Sequence, residues 1–552
     1  MSHQVEIFLA KEIITNDHAM PTAKAVAVMD GRVLHTGTLR QLREDLSSYA
    51  VSINDSFVDN IITPGFIEAH CHILEEGALS NFPWIGTYPR RMANGEFQYG
   101  CANTDEALSK IKAVHQSTPD RSKVLTCLGW DPNMAHSSGI TLDMLDSISN
   151  ERPIFLLQSN GHIGHCNSAM LQLAGITPDY QHEGVIRDGS GFPTGELREL
   201  ALTSVLGKFV DLEVGGITSI QNAGVVAQRA GCTTVTDLAY AATNNAVNQY
   251  GSVVNEESFP TRIVYAPLVQ ILGRHVAGSM VDHVHALAER SSNKFGMGPV
   301  KFVIDGSIQG RSARLKWPGY CCGDPNGMWL ADPDEMFEMM RPFHRAGFQL
   351  ALHTNGDEAV TAGLDIYERL LLDFPRFDHR HRLEHAQVAS EDAFHRMKAF
   401  GVCVNLFANH VFYWGETHRR DTVGPAKART LDACGTALRT GVPFSIHSDA
   451  PVTPLDPLFT MWCAVNRRTS EGNVLGQTEK ISPQQALRAC TIDAAYLLKR
   501  EGDVGTISVG KLADFTVLSD NPFTIDPMAI KDIAIPATVL AGRVQYNRTQ
   551  HA

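Results

Sequence analysis

The stretch Thr63-Pro64-Gly65-Phe66-Ile67-Glu68-Ala69-His70-Cys71-His72 decides how the rest of the chain is read. In a β-strand successive side chains point to opposite faces, so His70 and His72 set both imidazoles on one face and Cys71 on the other. Imidazole is the commonest neutral ligand for zinc and its neighbours, and two rings held by one rigid strand lose little entropy when an ion arrives. A chain with 23 histidines also produces such a pair by chance. The motif alone does not separate the two readings; the sequence on either side of it does.

With 43% hydrophobic and 19% charged residues over 552 positions and no long low-complexity run, the composition is that of a globular protein with a large core. A formal net charge of −13 without a basic tract argues against a nucleic-acid surface. No apolar run reaches the ~18 residues of a membrane span, and Met1-Ser2-His3-Gln4-Val5-Glu6 lacks the pattern of a secretory leader, so a cytoplasmic location is expected. Eleven cysteines scattered along the chain do not suggest a disulfide framework, and Cys321-Cys322 stand too isolated for a structural zinc knuckle.

Both ends read as short strands. Val5 to Leu9, Ala25 to Met29 and Val33 to Thr36 are apolar runs, with Asp30-Gly31 as a hairpin turn between the last two. Val509 to Leu518, Ala537 to Leu540, Ala541-Gly542 and Val544 to Tyr546 have the same character at the other end. Neither end has enough strands for a core of its own, so residues 1–62 and 503–552 are expected to pair into one composite β-sandwich. From Gly231 onward strand and helix alternate. Strand candidates are Cys232 to Thr236, Arg262 to Pro267, Val300 to Ile304, Phe348 to His353, His381 to His385, Val402 to Phe407 and Phe444 to His447. Gly347, Gly401 and Gly441 follow three intervening helices where a left-handed residue is wanted. With the strand carrying His70 the count is eight, which predicts an α/β protein with a (β/α)8 TIM-like barrel over residues 63–74 and 231–502.

In such a barrel the active site lies at the C-terminal ends of the strands. There the sequence places His70 and His72, Asp237, Lys301 and Asp305, His353, His385 and Asp449. Histidines and an aspartate converging from different strands on one mouth predict a metal site. Residues 75–230, between the first two strands, far exceed a common βα loop and are expected to form an insertion or lid over the site that selects the substrate.

The chain resembles the metal-dependent amidohydrolase superfamily, and within it the YtcJ-like amidohydrolase family 3 branch. The likeness is carried in order by Pro64-Gly65-Phe66-Ile67-Glu68-Ala69-His70-Cys71-His72, Gly129-Trp130-Asp131, Gly161-His162, Asn167-Ser168, Pro193-Thr194-Gly195-Glu196-Leu197, Val300-Lys301, Asp305-Gly306-Ser307, His353-Thr354-Asn355-Gly356-Asp357, Glu384-His385, His447-Ser448-Asp449 and Gly510-Lys511-Leu512-Ala513-Asp514. The resemblance implies that His70 and His72 bind a first divalent metal, most often zinc, and His353 and His385 a second. It implies that Asp449 touches the first and handles the proton. A strand-four lysine is carboxylated and bridges two ions in binuclear relatives, and Lys301 stands at that place. Carboxylation needs a neutral amine, which burial supplies. The other reading pairs Lys301 with Asp305 and leaves one metal per chain.

Bound divalent metal lowers the pKa of its water towards ~7, so hydroxide can attack a polarised carbonyl at neutral pH. Asp449 then passes the proton to the leaving amine, and hydrolysis of a C–N (amide-type) bond in a small organic substrate is the expected reaction. Ester hydrolysis or decarboxylation on the same metal, or a non-catalytic binding or regulatory protein on the same fold, are the alternatives. By analogy with the family, His162 is a substrate or oxyanion contact. Trp130 reads as an aromatic wall or equally as a buried structural residue. Phe407, Tyr413 and Trp414 follow the seventh strand and predict an aromatic pocket, or packing beneath the lid. Glu196 and Glu199 read as helix-face charges and His165 as structural. A homodimer is expected, with neither nucleic-acid nor membrane partner.

Overall fold

A computed structural model of the protein describes residues 4–132, 139–159, 161–198, 201–202, 205–206, 215–274, 276 and 278–547. Met1–Ile73, Gly224–Ala450 and Leu455–Ala552 make one compact unit, and Leu74–Ala223 with Pro451–Pro454 make a second.

In the first unit, strands from both ends of the chain share one seven-stranded sheet. Gln4–Ile14 runs between Thr22–Met29 and Ala50–Pro64, and Phe515–Leu518 pairs antiparallel with the far end of Ala50–Pro64, Val517 opposite Ile62. Asp30 and Gly31 both have positive φ, 51° and 75°, which is the primed two-residue turn whose twist matches the flanking strands. Ala541 and Gly542 repeat it at the C-terminal hairpin, at 49° and 78°. One apolar cluster includes Phe8, Val26, Phe57, Ile62, Phe515 and Val539; alternation puts Val5, Ile7, Ala25 and Ala27 on the other face, against Leu42 and Leu46. Leu42 belongs to the helix Leu39–Asp45, which starts at a capping box between Thr38 and Gln41.

The rest of this unit is α/β. Phe66–Glu68, Cys232–Tyr240, Arg262–Pro267 and Phe295–Met297 form a four-stranded parallel sheet, and Val300–Val303, Leu350–Thr354, Arg382–His385, Cys403–Leu406 and Phe444–Ile446 a five-stranded one. Helices such as Pro333–Arg345, Asp357–Asp373 and Glu391–Phe400 connect them. Gly401 and Gly441 take left-handed φ, 70° and 73°, directly after their helices. Phe295–Met297 is absent from the sequence reading, because Phe295-Gly296-Met297-Gly298 contains no apolar run. Its ladder stops at Gly298-Pro299, where proline has no N–H to donate. Before that break the chain pairs with Arg262–Pro267, and after it with Leu350–Thr354. An isolated parallel bridge from Leu268 to Lys301 and a hydrogen bond from Gln270 Nε2 to Val303 O (2.6 Å) tie the two sheets at this point.

The second unit has its own five-stranded sheet, ordered Val185–Arg187, Pro193–Arg198, Ile163–Cys166, Ile154–Leu157, Leu125–Leu128, and its own apolar cluster with Ile85, Ile111, Leu125, Ile154 and Leu156. Glu196 lies on a strand, opposite His165, and pairs with Arg198 rather than facing outward from a helix. The Pro193-Thr194-Gly195 start, poor in helix formers, explains the difference. Glu199 falls outside the described residues. Nine cysteines are buried thiols, and only Cys321 and Cys322 are exposed. Among the described residues no helix is long and apolar enough to cross a membrane.

Candidate metal centre

The regular strand that precedes the His-x-His pair ends at Glu68, so His70 and His72 sit on the irregular chain just beyond it. Alternation nevertheless persists. Cys71 turns away, its N–H donating to Thr236 Oγ1 and its Sγ to Thr236 O, both at 3.0 Å. His72 N–H donates to Ala450 O (2.7 Å), which fixes the second ring beside the loop after Phe444–Ile446. Both rings then converge on Asp449, whose Oδ1 is 3.1 Å from His70 Nε2 and 3.3 Å from His72 Nε2. His385 and His447 join them: one ligand atom each from His70, His385, His447 and Asp449 lies within 4.8 Å of the others, and all four residues are buried. His385 and Asp449 hold φ of 68° and 54°, conformations that L side chains seldom adopt and that persist only where the surroundings over-determine them.

The hydrogen bonding around this cluster fixes its chemistry. His70 Nδ1 lies 2.6 Å from Glu384 Oε2, and Arg382 Nε donates to Glu384 Oε1 at 2.7 Å. Burial would raise the Glu384 carboxyl, but Arg382 and His70 outweigh it and hold the group well below the usual carboxylate range. Glu384 is therefore an anion that accepts from His70 Nδ1, and it turns His70 Nε2 towards Asp449 Oδ1. Three imidazoles with one carboxylate make a zinc-type donor set. A divalent metal fits.

Lys301 is 2% exposed, and its Nζ has no hydrogen-bond partner among the described residues. Burial lowers it to about 8 against the opposing pull of Glu384 and Asp449. The alternative pairing with Asp305 is not formed. Asp305 instead accepts backbone N–H groups of Asn355 (2.9 Å), Gly356 (3.0 Å) and Arg314 (3.0 Å), so its carboxylate anchors a turn; burial still pushes it up to about 7. His353 is one step outside the tight cluster: its Nδ1 is 3.1 Å from His385 Nε2, while its Nε2 faces Asn355 Nδ2 (3.0 Å) and Gly306 O (3.3 Å).

Comparison with known proteins now decides the family. The amidohydrolase family profile matches residues 59–546, most of the chain. The chain belongs to the amidohydrolase family. It is 27% identical over 549 residues to YtcJ of Bacillus subtilis (strain 168), covering 95% of this chain and 96% of that one. It is 26% identical over 558 residues to the N-substituted formamide deformylase of Arthrobacter pascens, covering 97% of each. An uncharacterized metal-dependent hydrolase of Pyrococcus horikoshii OT3 shares the fold with a TM-score of 0.73 at 19% identity, over 95% of this chain and 99% of that one.

In this amidohydrolase the aromatic residues of the first unit separate by distance from the cluster. Phe407 stacks on His447, centroids 5.0 Å apart at 25°, and lies 6.0 Å from the His385 ring. Trp414 stacks instead on His410 at 4.4 Å, and Tyr413 packs edge-on to Trp414 and near Phe459. Phe407 and Trp414 are 2% and 0% exposed, so they are packing behind the histidines rather than an open wall. Trp130, fully buried in the apolar cluster of the second unit, is a core residue there. His162 is half-buried in the turn that enters Ile163–Cys166 of the same unit, and His165 Nε2 pairs with Gln158 Nε2 at 2.8 Å. Three residues of the centre had no role in the sequence reading: His447, Glu384 and Asn405. His447 stands two residues before Asp449, the spacing that marked His70 and His72, and could have been found by it.

Proposed function

We propose that this amidohydrolase is a metal-dependent hydrolase of amide-type C–N bonds in a small organic substrate. The observation that carries the reading is the buried convergence of His70, His385, His447 and Asp449, one ligand atom of each within 4.8 Å of the others. We read the two parallel sheets as a closed (β/α)8 barrel with this cluster at the C-terminal ends of its strands. His70, His385, His447 and Asp449 would hold a divalent ion, zinc by donor type, with His72 beside Asp449. When bound, such an ion polarises a carbonyl and lowers the pKa of water.

The chain's own part is proton handling and positioning. Burial opposes ionisation of Asp449, but His70 and His385 hold its carboxyl well below the usual range, so it is an acceptor at neutral pH. Asp449 takes one proton from the water that adds to the carbonyl and delivers it to the nitrogen as the C–N bond breaks; an amine and a carboxylic acid leave, and the acid gives its remaining proton to solvent. Glu384 keeps the His70 ring in the tautomer that faces Asp449. Lys301, buried and lowered to about 8, has a neutral fraction that could add CO2 and release one proton to solvent, and the carbamate so formed would, with His353 and His385, hold a second divalent ion. Likeness over 97% of the chain to an N-substituted formamide deformylase supports the amide class.

The test is release of primary amine from a panel of N-formyl and N-acyl amines by zinc-loaded protein, beside its Asp449→Asn variant. Amine release lost in the variant supports the reading. Fully loaded protein that releases no amine from any member, or releases CO2 instead, overturns it.

A further inference from the structure

Glu384 does more than orient His70. Its Oε2 also accepts from Asn405 Nδ2 at 3.2 Å, and because a carboxylate only accepts, that side of the Asn405 amide must be the NH2. The amide is thereby fixed, and Asn405 Oδ1 faces the other way. It accepts Ser445 Oγ at 2.7 Å and stands 3.2 Å from His447 Nδ1. An amide oxygen cannot donate, so His447 carries its proton on Nδ1 and its Nε2 is an acceptor. The ring has little freedom to do otherwise. It stacks on His70 (4.6 Å, 19°) and on Phe407 (5.0 Å, 25°), which fixes its plane and leaves only the choice of which nitrogen faces which way. Asn405, Ser445, Glu384 and His447 are all fully buried, so water does not settle that choice. His447 Nε2 meets no hydroxyl or backbone donor; its neighbour is His385 Nδ1 at 3.1 Å, inside the cluster.

We infer that Asn405, held by Glu384, is a positioning residue that sets the tautomer of His447 and turns its Nε2 towards His70, His385 and Asp449 as a ligand of the metal centre. The inference rests on the metal-centre reading above and deepens it: one carboxylate, through one amide, aims two histidines at the same point. Such outer partners typically cost 10–100-fold in metal affinity when removed.

The experiment is a double-mutant cycle read by zinc affinity of the metal-free protein, with Co(II) absorption as a second readout of ligand geometry. The proteins are wild type, Asn405→Leu, His447→Ala and the double variant. The expected result is a loss of about 10–100-fold for Asn405→Leu with an altered Co(II) spectrum, an equal or larger loss for His447→Ala, and no further loss when Asn405→Leu is added to His447→Ala. Equal losses from Asn405→Leu in both backgrounds, or unchanged affinity in His447→Ala, overturn the inference and leave the metal centre standing. Wild-type protein that binds no zinc removes the metal centre and the inference together. If thermal unfolding of the metal-free variant shows that Asn405→Leu does not fold, Asn405→Ala takes its place in the same cycle.

Discussion

The strand Arg382–His385 has a histidine cluster at each end, and the two are built on opposite principles. Before its start, His344, His379 and His381 close on themselves. His344 Nδ1 meets His381 Nε2 at 2.8 Å and His344 Nε2 meets Phe374 O at 2.7 Å; His379 Nε2 meets Phe400 O at 2.8 Å. His381 Nδ1 accepts Leu350 N–H at 3.0 Å, and His379 Nδ1 accepts the N–H of His381 at 2.9 Å. Every ring nitrogen is answered by backbone or by another ring. At the far end, His70, His385, His447 and Asp449 turn one ligand atom each to within 4.8 Å of the others, and among the described residues the buried Lys301 Nζ has no hydrogen-bond partner. Both clusters are buried and rich in imidazole. What separates them is where the rings aim: the first set is spent on backbone and on itself, whereas the second, joined by a carboxylate, makes a metal-type donor set.

The largest effect should come from the open end. Asp449→Asn is expected to lower amine release by about 10²–10⁴-fold with little change in the unfolding midpoint of the metal-free protein, measured by steady-state assay and calorimetry. Next, at the closed end, His381→Ala removes the acceptor of Leu350 N–H and the partner of His344. It should destabilise by about 2–4 kcal/mol in denaturant titration and leave zinc content unchanged. If that variant lost zinc instead, the distinction between the two ends would fail.

The closed end also predicts a dependence on pH. Burial lowers His379 to about 4 and His381 well below its ordinary value of 6.5. Folded-state values below unfolded ones mean that the unfolded chain binds more protons as pH falls. The contribution is therefore fully present above about pH 6.5. It is lost on acidification at about 1.4 kcal/mol per pH unit for each histidine, down to about pH 4 for His379. Urea titrations at pH 7, 6 and 5 should show this slope, and His379→Asn should lessen it by one histidine's share; equal slopes would contradict the assignment. The smallest change is expected from Lys301→Met. Removing a buried amine that has no hydrogen-bond partner among the described residues should shift the stability of the metal-free protein by less than about 1 kcal/mol or raise it, in contrast to His381→Ala.

Much of this was legible in the sequence because short rules act locally. Asp30-Gly31 requires positive φ and forms the turn that its residues demand. Gly401 closes its helix, and the spacing of His70 and His72 survives the end of the regular strand at Glu68. The break at Gly298-Pro299 was missed because it depends on which neighbour each half of the stretch pairs with, a non-local fact. Trp130 and Trp414 were ambiguous for the same reason, since an aromatic residue reads alike whether it faces a pocket or a core. Asp305 illustrates the harder limit. Four residues on from Lys301 and on the same strand face, it reads as that lysine's partner, whereas backbone N–H groups of Arg314, Asn355 and Gly356 claim its carboxylate. Asn405 gains its significance only from Glu384, brought beside it by parallel pairing of Arg382–His385 with Cys403–Leu406.

The most direct test of the account is the metal content of protein exchanged with zinc and freed of excess, for wild type, His70→Ala with His385→Ala, and His344→Ala with His379→Ala. The account predicts at least one zinc per wild-type chain, none with the first pair of substitutions, and the wild-type amount in whatever fraction of the second pair remains folded. Zinc absent from the wild type, or retained without His70 and His385 and lost without His344 and His379, would contradict it.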